Sequence, residues 1–243
     1  MMSNFLYPIP NGRAGEAILR TWHQIRKTGI ASAQPVAVDG SYLRVGFGGH
    51  HSNELILALL AGLANPEQAE QAQDPVWRLP KMIGLISSLD SKQKDALFAL
   101  ARTDLRPTLY EAVSTLIQIE DLQDYFEHEA HTDIEPVWQH YTIRPSGYAA
   151  FNHATLSEGN PPDWGVFDAL RKRAQRERMD EGRRVALVTI LSIYNSEDTA
   201  VSFKGRGWTL RAGALGRYVR DRAERQPIAF DAFVQALAVY PGW

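Results

Sequence analysis

The sequence predicts an α+β chain with a β-α-β-β unit first, a helical middle, and a basic C-terminal part of helices with a short strand pair. Three observations lead there. Short apolar runs alternate with helical spacing over residues 4–47, helical spacing persists from 81 to 129, and RKRAQRERMDEGRR (171–184) holds seven Lys/Arg in fourteen residues. The matching divisions are 1–75, 76–140 and 141–243.

Asn4 to Ile9 is short and apolar, as a first strand would be. In GRAGEAILRTWHQIRKTG, residues Ala17, Ile18, Trp22 and Ile25 recur at helical spacing, and Gly29 is placed to end the helix. Pro35–Val38 and Tyr42–Phe47 read as strands joined at Asp39-Gly40, a hairpin signal because both residues tolerate positive φ. Ser52 can cap a helix over Asn53–Ala64 that has little polar face and should be buried.

Residues 65–75 are polar with Pro near both ends, as a linker or exposed loop would be. Asp90 or Ser91 starts a helix carrying Leu97, Phe98, Leu100 and Ala101, and Pro107 fits the first turn of the next. Pro145 to Trp164 is loop-rich. A basic helix from near Asp163 should pack by Val166, Phe167, Leu170 and Ala174, with its second half projecting into solvent. Arg184–Tyr194 is rich in β-branched residues and reads as a buried strand, with a turn at 195–198 and a second strand at Ala200–Phe203. Gly213–Arg225 and a segment through Phe230, Phe233, Leu237 and Val239 complete the chain as helices.

Charge is divided unevenly. Residues 1–170 carry 12 Lys/Arg against 20 Asp/Glu, a net of −8, while 171–243 carry 14 against 8, a net of +6. Such asymmetry points to a polyanion surface. Cysteine is absent, which excludes disulfides, thiolate chemistry and Cys-ligated metal sites. The start lacks a cationic-then-apolar leader, and the longest apolar run, about 55–63, is far short of the ~20 residues of a membrane span. A cytoplasmic protein with no membrane contact is expected.

Within 171–184, Arg173–Glu177, Arg176–Asp180 and Asp180–Arg184 are four apart and suit helical ion pairs, yet three acids cannot neutralise seven bases. The candidate phosphate contacts are Arg171, Lys172, Arg173, Arg176, Arg183 and Arg184. Lys204, Arg206, Arg211, Arg217 and Arg220 join them, interleaved with Trp208 and followed by Arg222 and Arg225. Arginine suits planar, bidentate phosphate contacts, and aromatic faces beside cations hold single-stranded nucleic acid. The competing reading is a core aromatic rimmed by solvated arginines.

Two other stretches draw attention. VGFGGHHSNE (45–54) is a Gly-rich turn into a helix, where backbone N–H groups can bind phosphate and His50 or His51 can act as acid or base; it matches neither the P-loop nor the dinucleotide fingerprint. EHEAHTDIE (127–135) places His128 and His131 three apart, but without H-E-x-x-H spacing it reads as acidic surface, so no metal or cofactor is expected.

The N-terminal β-α-β-β order, the late strand pair and the Arg-rich helix before it, carried by NFLYPIPNGRAGEAI and the arginines of 171–184, give a layout that resembles the ferredoxin-like RNA-processing and guide-RNA-binding proteins of CRISPR systems. That resemblance implies an RNA-binding subunit of a ribonucleoprotein, partnered by other protein subunits. If the subunit is also an enzyme, the resemblance implies a metal-independent endoribonuclease. His23, His50 and His51 would then be the available bases, with Arg20 or Arg44 stabilising charge. The alternatives from the residues alone are a DNA-binding subunit or a non-enzymatic helical assembly subunit.

Overall fold

The computed structural model describes residues 3–28, 36–47, 54–66, 79, 83, 89–126, 172–202, 210 and 213–240. In order, the elements are β1 (Ser3–Pro8), α1 (Arg13–Thr28), β2 (Val36–Asp39), β3 (Tyr42–Phe47), α2 (Glu54–Ala64), α3 (Ser91–Phe98), α4 (Leu109–Ile119), α5 (Gln123–Phe126), α6 (Glu181–Ser202), α7 (Ala214–Arg225) and α8 (Pro227–Val239). The protein is thus mixed helix and sheet, mostly helical.

The three strands form an antiparallel sheet in the order β1-β3-β2. Tyr7 lies opposite Leu43, and Leu43 opposite Val38, so alternation sends Tyr7, Leu43 and Val45 into the core and leaves Leu6, Tyr42 and Arg44 on the exposed face. At the hairpin only Gly40 takes a positive φ, +59°, while Asp39 remains the last residue of β2. A two-residue turn with glycine first needs no more. α1 buries Ala14, Ala17, Ile18, Thr21 and Ile25 and lies against β2 and against α2, α3 and α7. Gly15 must be glycine because a Cβ there would sit 1.9 Å from the Pro10 carbonyl oxygen.

Leu55 to Ala64 are all buried, as the all-apolar sequence of α2 requires. α2 meets α7 at Gly62 and Gly216, where a Cβ on Gly62 would come within 2.5 Å of the Gly216 Cα. Capping boxes start α3 (Asp90 with Gln93) and α4 (Thr108 with Glu111). Pro107 therefore precedes the cap of α4 and is not in its first turn. α8 lies against α3, α4 and α7. Buried side chains from the sheet through α8 belong to one hydrophobic cluster.

The expected C-terminal strand pair is absent from the described residues. Arg184–Tyr194, the turn at 195–198 and Ala200–Ser202 all lie inside the 22-residue α6; Phe203 falls outside the described residues. Val185–Ile193 are buried all round, so the run shows no 3.6-residue period and reads equally as strand or helix. Asp180 resolves it: its carboxylate accepts the Arg183 backbone N–H at 3.1 Å and its carbonyl accepts that of Arg184, starting a helix.

Candidate nucleic-acid interface

The basic segment is not one projecting helix. Residues 172–176 are helical, and the chain then turns through Arg178, whose φ is +51°. The Arg178 N–H donates to the Gln175 carbonyl (3.2 Å) and the Met179 N–H to that of Ala174 (3.0 Å), the paired closure of a Schellman motif. Ala174 and Met179 are both buried, which gives the reversal its driving force. The end of α4 closes the same way: Asp121 has φ +53°, and Leu122 N–H reaches the Ile117 carbonyl at 2.9 Å.

Arg183 joins these two ends. Its guanidinium donates to the backbone carbonyls of Glu120 (3.0 Å) and Asp121, and pairs with the Asp121 carboxylate at 3.5 Å. Its donors are thus engaged in capping α4. Arg173 donates to Glu177 at 2.8 Å and lies 4.5 Å from the Tyr125 ring centroid, while the Tyr125 hydroxyl donates to the other Glu177 oxygen. Burial pushes the Glu177 carboxyl up, but the bonds from Arg173 and Tyr125 outweigh it and hold the group below its usual range. Burial and the Glu177 bond push the Tyr125 phenol up. Arg184 reaches the Asp180 backbone carbonyl at 3.4 Å.

The arginines of α7 are equally committed. Arg217 grips Glu181 with two bonds of 2.9 and 3.1 Å, tying α7 to the first turn of α6. Arg220 donates to the Leu63 carbonyl at the end of α2. Arg222 makes a bidentate pair with Glu120, both bonds 2.7 Å, and its third nitrogen reaches Asp221 at 2.6 Å. Glu120 is 1% and Arg222 13% exposed, so the pair is close to buried, and the Tyr218 hydroxyl completes it with a 2.9 Å bond to Glu120. Hydrogen bonding to Glu120 pushes the Arg222 guanidinium up, against the effect of burial. Burial, with Glu120 beside it, pushes the Tyr218 phenol well up. Tyr218 is a core residue, its ring 4.9 Å from that of Phe233.

No protein-family model, curated protein or solved structure matches this chain.

Three cations at the break in the basic segment remain on the surface. Lys172, Arg176 and Arg178 are exposed, and Lys172 and Arg176, four apart, share one side of the helical stretch. The turn at Arg178 comes between Arg176 and Asp180, and no Arg176–Asp180 pair forms among the described residues. Arg171, Lys204, Arg206, Trp208 and Arg211 lie outside the described residues, as do His50, His51 and the acidic stretch 127–135. His23 is exposed on α1. Neighbouring Arg20 is directed to the Ala99 (3.2 Å) and Leu100 (2.8 Å) carbonyls, and Arg44 pairs with Asp39 on the far side of the sheet. The structure therefore does not assemble His23, Arg20 and Arg44 into one site. Among the described residues no group of three or more His, Asp or Glu is placed to hold a metal ion, and no helix is long and apolar enough to cross a membrane.

Proposed function

We propose that this protein is an RNA-binding subunit of a ribonucleoprotein and that Lys172, Arg176 and Arg178 contact the phosphate backbone. The observation that carries the reading is the exposed cationic knuckle at the Schellman turn, packed from behind by the buried Ala174 and Met179. The backbone hydrogen bonds of the turn already fix the main chain, so on binding a polyanion the ordering cost falls on the three side chains. The split order β1-β3-β2, with β1 and β2 both antiparallel to β3, supports taking the N-terminal unit as part of a ferredoxin-like fold. A guide-RNA role in a CRISPR complex is the proposed setting, supported by that layout and the basic segment.

Binding of a ~30-nucleotide single-stranded RNA across a salt series tests this, with the parent beside a Lys172→Ala/Arg176→Ala/Arg178→Asn variant. Asn is used at 178 because it tolerates the positive φ. The variant should bind more weakly whatever the sequence, with a salt slope shallower by about 0.7 for each phosphate contact removed. Unchanged affinity and slope would remove the knuckle from the interface. Binding to duplex DNA with none to RNA would move the assignment to the DNA-binding alternative.

A further inference from the structure

The second half of α1 carries a cationic surface of different make-up. Each helical residue advances about 100°, so Leu19, His23, Arg26 and Lys27 fall on the outer arc of α1, with Trp22 at its edge, next to the buried Ile18 and Ile25 and packed partly against the core. His23, Arg26 and Lys27 are exposed, Leu19 is 39% exposed, and Trp22 is half-buried. The Arg26 guanidinium lies 5.8 Å from the Trp22 ring centroid. None of His23, Arg26 and Lys27 has an ion-pair partner among the described residues. Glu16, the one acid of α1, lies more than a turn earlier and faces Arg102 at 3.3 Å.

Cations in a last helical turn complement the helix dipole, and that accounts for Arg26 and Lys27 as stabilising residues. It does not account for their lying beside a partly buried indole, with His23 alongside and no acid paired with them among the described residues. We propose that this arc is a second contact for single-stranded RNA, resting on the RNA-binding reading above. The exposed part of Trp22 and the Arg26 guanidinium over its ring offer a stacking surface to a base, and His23 and Lys27 offer donors to the flanking phosphates. An acidic protein segment would meet the same charge. Leu19, however, is the one exposed large aliphatic side chain of α1, and a stable protein interface is built around several clustered anchors. The arc fits a strand of alternating base and phosphate better.

The test uses the full chain with three probes: a ~40-nucleotide oligouridine, the same RNA carrying photoreactive 4-thiouridine, and a ~12-residue polyglutamate peptide. In the parent, cross-linking should map to the α1 peptide containing Trp22. An Arg26→Gln/Lys27→Gln variant that melts within about 4 °C of the parent should bind the RNA about tenfold more weakly with a shallower salt slope. Parental affinity in that variant with no cross-link in α1, while the knuckle variant does lose RNA, would overturn this inference and leave the RNA-binding reading standing. A parent that binds no RNA would overturn both. Polyglutamate bound by the parent and lost in the α1 variant, with RNA binding unchanged, would assign the arc to an acidic protein partner.

Discussion

The basic C-terminal segment and the second half of α1 make an instructive pair. The first has the high charge count, yet Arg173, Arg183, Arg217, Arg220 and Arg222 are turned onto carboxylates or carbonyls of the protein itself. The second has two full cations and a histidine, and none of them is engaged by an acid among the described residues. The difference lies in what stands opposite. α7 faces Glu120 and Glu181 across packed helices, whereas the outer arc of α1 faces solvent. Arginine density therefore measures how many strong bonds a segment can make. Whether those bonds point inward or outward is decided by tertiary packing.

The largest expected effect breaks the inward side of this comparison. Glu120→Ala leaves Arg222 nearly buried without its carboxylate and removes the acceptor of Tyr218, so the protein should lose about 3–5 kcal/mol in a urea titration. A Glu120→Leu/Arg222→Met double variant should lose much less, because no charge is then left unpaired. If the single change cost no more than a surface substitution, the arginines of α7 would not be structural struts.

A middle-sized effect sharpens the comparison through pH. Glu177 titrates below its ordinary value in the folded protein, so its contribution is fully present above the unfolded value near ~4.3 and disappears as pH falls through the depressed folded value. Glu177→Gln should accordingly be less stable than the parent at neutral pH, and the gap should close on acidification. A gap independent of pH would mean that the Arg173–Glu177–Tyr125 contact acts through packing and not through charge. At the small end, Arg26→Gln/Lys27→Gln should cost no more than about 1 kcal/mol in the same titration, the helix-dipole contribution of two exposed last-turn cations.

Much of the N-terminal half was legible in the sequence. Alternation in β1 and β3, the Asp-Gly signal and the cap at Asp90 are local features, and local features can be read from neighbours, whereas Pro107 reads as part of the first turn of α4 when Thr108 caps it. The arginine partners were not. Arg222 meets Glu120 across 102 positions and Arg217 meets Glu181 across 36, distances over which spacing rules carry nothing. Of the three local pairs the sequence suggested, Arg173–Glu177 forms, while Arg176–Asp180 is interrupted by a left-handed residue that is not glycine. α6 was misread because a helix buried on every side has no polar face to give it a period; the signal that would have found it was Asp180.

The meeting of Glu120 with Arg222, and of α2 with α7, also sets the order in which the chain can mature. A ribosome adding ~5–20 residues per second delivers Arg222 about 5–20 s after Glu120. Until then, α2 has emerged without the helix that covers it at Gly62, and the carboxylate must stay hydrated. With the apolar surface of α2 around Gly62 still uncovered until α7 arrives, the first half of the chain is the part most exposed to aggregation during synthesis.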